Sequence, residues 1–209
     1  MAGLYLEQFS VGQTFVHEIR RTVTDMDNIL FSALTYNPAN DDLFVAERGK
    51  GAFLNDRRIR VAARQRLSDA VVACWLPHYG RGDLALGRHE IAAAQNHFAG
   101  LRRFGAATLD LAWVAAGRFD GFWERDLSPW DMAAGILLVR EAGGFVSDLD
   151  GGEAILTKGN IAAGNDTMHR ELLRLMKEAG KQAANDPERE ADKSPAKAVA
   201  AAPVGRSVP

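Results

Sequence analysis

The chain has 209 residues, 47% of them hydrophobic and 25% charged, with a formal net charge of -2. That balance gives no electrostatic reason to expect nucleic acid or an anionic membrane as partner. No stretch approaches the roughly 20 apolar residues of a membrane span, and Glu7 and its polar neighbours stand where a secretory signal carries a basic start and an apolar run. The expectation is a soluble cytoplasmic protein of one domain or one and a half. The single Cys74 can form no internal disulfide and reads as a reduced, buried thiol.

In chain order, residues 5–19 mix aromatic and polar residues in a strand-like way. "TVTDMDNILFSALTY" predicts a helix, with Thr24 or Asp25 as cap and a stripe of Ile29, Leu30, Ala33 and Leu34. "YNPAN" is a turn, because Pro38 fixes its own backbone and Asn favours local side-chain bonding. A meander follows, with short apolar runs at 43–46, 52–54 and 59–61 separated by turn-rich 48–51 and 55–57. "SDAVVACWLP" predicts a buried strand ending at Pro77. "DLALGRHEIAAAQNHFAG" predicts a helix closed by Gly100, and "AATLDLAWVAAG" a second closed by Gly117. "FDGFWE" is strand-like, "SPWDMAAGILLVREAGG" a third helix, and "GFVSDL" a further strand. "AILTKGNIAAGN" reads as a strand pair or a loop. "DTMHRELLRLMKEAG" is an amphipathic helix with Met168, Leu172, Leu173 and Met176 on one stripe. From Lys181 the chain lacks aromatics and is dense in Ala, Pro and charge, which predicts a disordered tail over 181–209. Alternating strands and helices over 42–180 predict an α/β layered domain.

Several motifs have ordinary readings. "ERGKGAF" fails as a phosphate loop, because Phe44 stands where its first Gly belongs and Gly51 follows Lys50. A hairpin turn explains it better. His89 and His97 lie eight apart on one predicted helix, not at the four-residue spacing that converges on zinc, and read as solvated. "DLDGGE" lacks the spacing of a calcium loop and reads as a glycine turn.

"ERDLSPWDMAAG" is the informative stretch. Ser128 suits a helix N-cap, Pro129 the first helical position, and Asp131 the capping-box acid. The functional alternative is that Asp131, with Glu124, holds a hard cation that grips a phosphate. In "RRFGAATLD" the small residues Gly105, Ala106 and Ala107 would let backbone N–H groups at a helix start approach an anion. Tight helix packing explains them equally well.

Together "YNPANDDLFVAERGKGAFLNDRRIRV", "RRFGAATLDLAWVAAGRFDGFWERDLSPWDMAAGILLVREAGGFVSDLDG" and "NIAAGN" resemble the second half of the inositol monophosphatase family, over residues 36–180. The resemblance implies a layered α-β-α phosphatase fold, often dimeric, that uses Mg2+ to hydrolyse a phosphate monoester such as inositol monophosphate. It implies that Asp131 binds metal, that Glu124 contacts substrate hydroxyls, and that Gly105, Ala106 and Ala107 touch substrate through their backbone. Ala106 stands where many relatives have Ser, and Thr108 where many have Ala.

The family's acidic Asp-Pro-Ile-Asp-Gly-Thr loop is absent: Asp25 and Asp27 lack the following Gly-Thr, and Asp41 and Asp42 fall after the stretch where the loop belongs. Residues 1–40 are instead similar to the start of a MaoC-like dehydratase, a hot-dog fold that hydrates enoyl-CoA thioesters, cut before its catalytic His. On this reading the turn at 36–40 joins fragments of two families. Three functions follow as expectations: an Mg2+-dependent phosphatase, an inactive truncated relative acting as a binding or dimerising module, and, least supported, an enoyl-CoA hydratase.

Overall fold

The computed structural model of the protein describes residues 32–77 and 82–186. Its first unit is an antiparallel sheet in the order β1 (Ser32–Asn37), β2 (Asp42–Glu47), β3 (Gly51–Leu54) and β4 (Arg57–Arg58). Burial alternates with the strand period. Ala33, Thr35, Phe44, Ala46 and Ala52 face the core, while Leu34, Tyr36, Leu43 and Val45 face outward. The outer residues meet in cross-strand pairs, Leu34 opposite Val45 and Tyr36 opposite Leu43.

This sheet corrects one expectation. Residues 32–37 are strand, not helix, and all six pair in register with β2. The three- and four-residue apolar spacing is outweighed by ladder bonds and by burial of every second side chain. The turn at 36–40 lies inside this sheet. It closes a hairpin: Ala39 N–H donates to the Asn37 side chain at 3.1 Å, Tyr36 O–H donates to Asp41 at 2.9 Å, and Asp41 takes a left-handed φ of 54°. The remainder of the expected helix and of the MaoC-like fragment lies outside the described residues, as do tail residues 187–209.

The second sheet is mixed, in the order β6 (Gly100–Arg102), β5 (Val71–Cys74), β7 (Gly121–Glu124), β9 (Ile161–Gly164) and β8 (Phe145–Ser147). β5 runs parallel to both β6 and β7, whereas β9 is antiparallel to β7 and β8. Both faces are covered, so its strands are apolar except where β6, β7 and β8 end, at Arg102, Glu124 and Ser147. Ala73, Phe122 and Ala163 face one layer of helices, α2 (Ala107–Ala115) and α3 (Pro129–Glu141). Val72, Trp123 and Ala162 face another, α1 (Leu84–Gln95) and α5 (Asp166–Ala184). The expected α/β layered fold is present. The α-β-α arrangement is these two helix layers around the second sheet, and the first sheet adds an outer layer on α2 and α3.

The helices form largely as predicted, for local reasons. Asp83 caps α1 by accepting from Leu86 N–H at 3.0 Å, and Asn165 caps α5 by accepting from Met168 N–H at 3.0 Å. Three boundaries differ. α1 ends at Gln95, and Gly100 opens β6 rather than closing the helix. The stretch expected as a strand pair is the one-turn helix α4 (Ile155–Lys158) followed by β9. α5 continues past Lys181 to Ala184, because Ala183 is still buried. α2 and α3 cross closely at Gly135, where an added Cβ would stand 2.5 Å from Leu111 Cβ.

Candidate active site

The three parallel strands end on one side. Arg103 follows β6, Trp75 and Leu76 follow β5, and Glu124 ends β7 ahead of Arg125, Asp126 and Leu127. α2 and α3 start on the same side. Ligands in open α/β sheets bind in the crevice beyond the carboxyl ends of such strands. A pocket of about 310 Å³ lies there, lined by these residues together with Gly105, Ala106, Ala107, Thr108 and Asp131. All five residues singled out in the sequence, Gly105, Ala106, Ala107, Glu124 and Asp131, are thus brought to one cavity from three separate elements.

Gly105 has a φ of +75°, a conformation that favours glycine, and its backbone turns directly into α2. Ala106 is the N-cap and makes no side-chain cap bond, so the first N–H groups of α2, beside the pocket, have no capping hydroxyl. Arg103 lies beside this turn: its guanidinium would be 3.8 Å from a Cβ added at Gly105. A helix N-terminus beside an arginine favours an anion.

Two carboxyls lie close by, Glu124 in the pocket lining and Asp110 in the first turn of α2. Burial pushes the Glu124 carboxyl up to about 7, and the negative charges of Asp110 and Asp131 add to the rise, against a lowering by Arg103. Burial also pushes Asp110 up to about 6. Asp110 is 1% exposed, and its Oδ1 has no hydrogen-bond partner among the described residues. Glu124 is therefore poised between acid and carboxylate near neutral pH, able to donate to or accept from a ligand hydroxyl.

Asp131 has its capping role. Its Oδ2 accepts from Ser128 N–H at 3.0 Å, and its carbonyl accepts from Thr108 O–H at 3.1 Å, tying α3 to α2. Mg2+ takes near-octahedral oxygen coordination. Among the described residues, no group of three or more His, Cys, Asp or Glu side chains is placed to hold a metal ion. Asp131 offers one remaining oxygen, so the residues described do not by themselves fit a metal centre.

Sequence reasoning missed five residues here: Arg103, Trp75, Arg125 and, behind the pocket, Asp110 and Glu90. Arg103 abuts the "GAA" turn and was open to inference. Glu90 was not. It sits mid-α1, 1% exposed, and receives Arg125 Nε at 2.8 Å, Arg125 Nη2 at 2.6 Å, Trp75 Nε1 at 2.9 Å and Trp123 Nε1 at 3.4 Å. Its donors come from 15 to 35 residues away. The other candidates stay apart. His89 pairs with Asp186 at 2.9 Å, and His97 bonds its own helix through Ala93 O at 2.8 Å.

Known proteins match this architecture. The chain is 53% identical over 148 residues to an inositol-1-monophosphatase of Mesorhizobium japonicum, covering 71% of this chain and 56% of that one. It is 44% identical over 146 residues to the Nus factor SuhB of Escherichia coli, covering 70% and 55%. The crystal structure of the extragenic suppressor protein suhB from Bartonella henselae superposes with a TM-score of 0.68 at 54% identity, over 70% of this chain and 56% of that one. The chain thus spans a little over half the length of the relatives it matches. The family match begins at residue 24, inside the segment read as MaoC-like, and nothing in these comparisons supports that second resemblance. With residues 24–181 matching the inositol monophosphatase family, the chain belongs to that family.

Proposed function

We propose that the pocket binds a small phosphate monoester of a polyol, inositol monophosphate or a close analogue. The phosphate would sit at the α2 N-terminus beside Arg103, and the hydroxyls would face Glu124. The observation that carries this is the pairing of an anion-favouring helix start with a half-buried carboxyl, Glu124, in the lining of one pocket of about 310 Å³. The family membership and the name of the Mesorhizobium relative support the substrate class.

Mg2+-dependent hydrolysis is the fuller family reading. It calls for several converging carboxylates; the resemblance assigns a metal to Asp131, and among the described residues no group of three or more His, Cys, Asp or Glu side chains could hold one. Ligand binding without rapid turnover is therefore the reading the geometry supports best. The test is tryptophan-fluorescence titration of the full chain with inositol monophosphate and with inorganic phosphate, in Mg2+, alongside a phosphate-release assay. Both ligands should bind, Arg103→Ala should weaken both about tenfold through loss of a charged partner, and release should stay near background. No binding at millimolar ligand would overturn the site. Robust release lost in Asp131→Asn would overturn the binding-only reading.

A further inference from the structure

We infer that Glu90 is a positioning residue that holds Arg125 as a recognition group for the polyol part of the ligand. The inference rests on the polyol-phosphate reading of the pocket. Glu90 belongs to α1, on the far side of the second sheet, and does not line the pocket. Two of its three donor residues do, Trp75 and Arg125.

Burying a carboxylate this deeply is costly unless its lone pairs are filled. Here they are filled in a divided way. Oε1 takes two nitrogens of Arg125, and Oε2 takes the indoles of Trp75 and Trp123. The guanidinium is therefore fixed through Nε and Nη2, and neither bond uses Nη1. Only 22% of the Arg125 side chain is exposed, and Arg125 is part of the pocket lining. The pair is neutral overall, so it does not compete with Arg103 and the α2 N-terminus for the phosphate. A fixed, charge-compensated N–H donor suits a neutral acceptor oxygen, a ring hydroxyl. Arg125 directly follows Glu124, so one strand end presents a donor and a titrating carboxyl side by side. That arrangement can read two hydroxyls of one ring. Trp75, held by the same carboxylate, closes the wall behind it.

The test uses the full chain with Glu90→Gln, which keeps the shape and removes the charge, and Arg125→Lys, which keeps the charge and removes the fork. Dissociation constants for inositol monophosphate, glycerol phosphate and inorganic phosphate are read by tryptophan fluorescence, with melting temperature as the folding control. Each variant should weaken inositol monophosphate about tenfold, the scale of one charge-assisted hydrogen bond. Inorganic phosphate should change less than about twofold, and the preference for the ring over glycerol phosphate should collapse. Equal weakening of all three ligands would mark Glu90 as a stability residue only and overturn the inference. So would an unchanged preference in both variants while the wild-type chain binds. A wild-type chain that binds none of the three would instead overturn the site reading, and this inference with it.

Discussion

Glu124→Gln offers the sharpest physical test of the pocket. The carboxyl is raised from 4.5 to about 7, chiefly by burial. The folded protein therefore holds this proton more tightly than the unfolded chain. Its contribution to stability is fully present below about pH 4.5 and is lost as pH rises through about 7. Taken at face value, the shift predicts a loss of about 2.5 kcal/mol between pH 5 and pH 8. Glu124 is only part-buried, and water screens it, so we expect about 1 kcal/mol. With an m-value of about 2 kcal/mol per molar urea, that is a midpoint difference of about 0.5 M. The assay is urea unfolding of both proteins at pH 5 and pH 8. Asp110 and His169 are also shifted, up and down respectively, but they are common to both proteins and largely cancel in the comparison. The wild-type midpoint should fall relative to the variant on going to pH 8. Parallel midpoints at both pH values would refute the claim that the pocket desolvates this carboxyl. A further substitution, Asp110→Asn, should lower the Glu124 titration point, because the Asp110 charge helps raise it.

Gly135→Ala should destabilise the protein by about 1–3 kcal/mol in urea unfolding, since its Cβ would meet Leu111 Cβ at 2.5 Å and force α2 from α3; an unchanged midpoint would show that this crossing has slack. Cys74 is buried and its thiol pushed up to about 12, first by burial and then by the charges of Asp110 and Glu124. It should resist a thiol-specific disulfide reagent at pH 8 in the native protein and react fully in denaturant; rapid native labelling would show that β5 opens.

What the sequence determined alone is what local chemistry decides. Ser128, Pro129 and Asp131 lie within four residues, so the start of α3 and the direction of the Asp131 carboxylate were readable before any fold was known. The same holds for Gly105 ahead of α2 and for the amphipathic stripe of α5. Family membership was legible for a related reason: the "GAATLD" and "WDMAAG" stretches each keep their pattern within one short segment. The errors arose where distant partners outvote local pattern. Ala33 and Leu34 carry a helical spacing, yet six rungs with β2 and a buried inner face make them strand. β6 is three residues long and exists only because Val71, Val72 and Ala73 of β5 bond to it. Glu90, in a helix that reads as ordinary surface, is the extreme case. Its burial is tolerable only because Arg125, Trp75 and Trp123 converge on it, and they do so because β5 and β7 run parallel and end together beside α1. A buried charge is defined by its partners, and those partners are chosen by the sheet order rather than by the residues next to it in the chain.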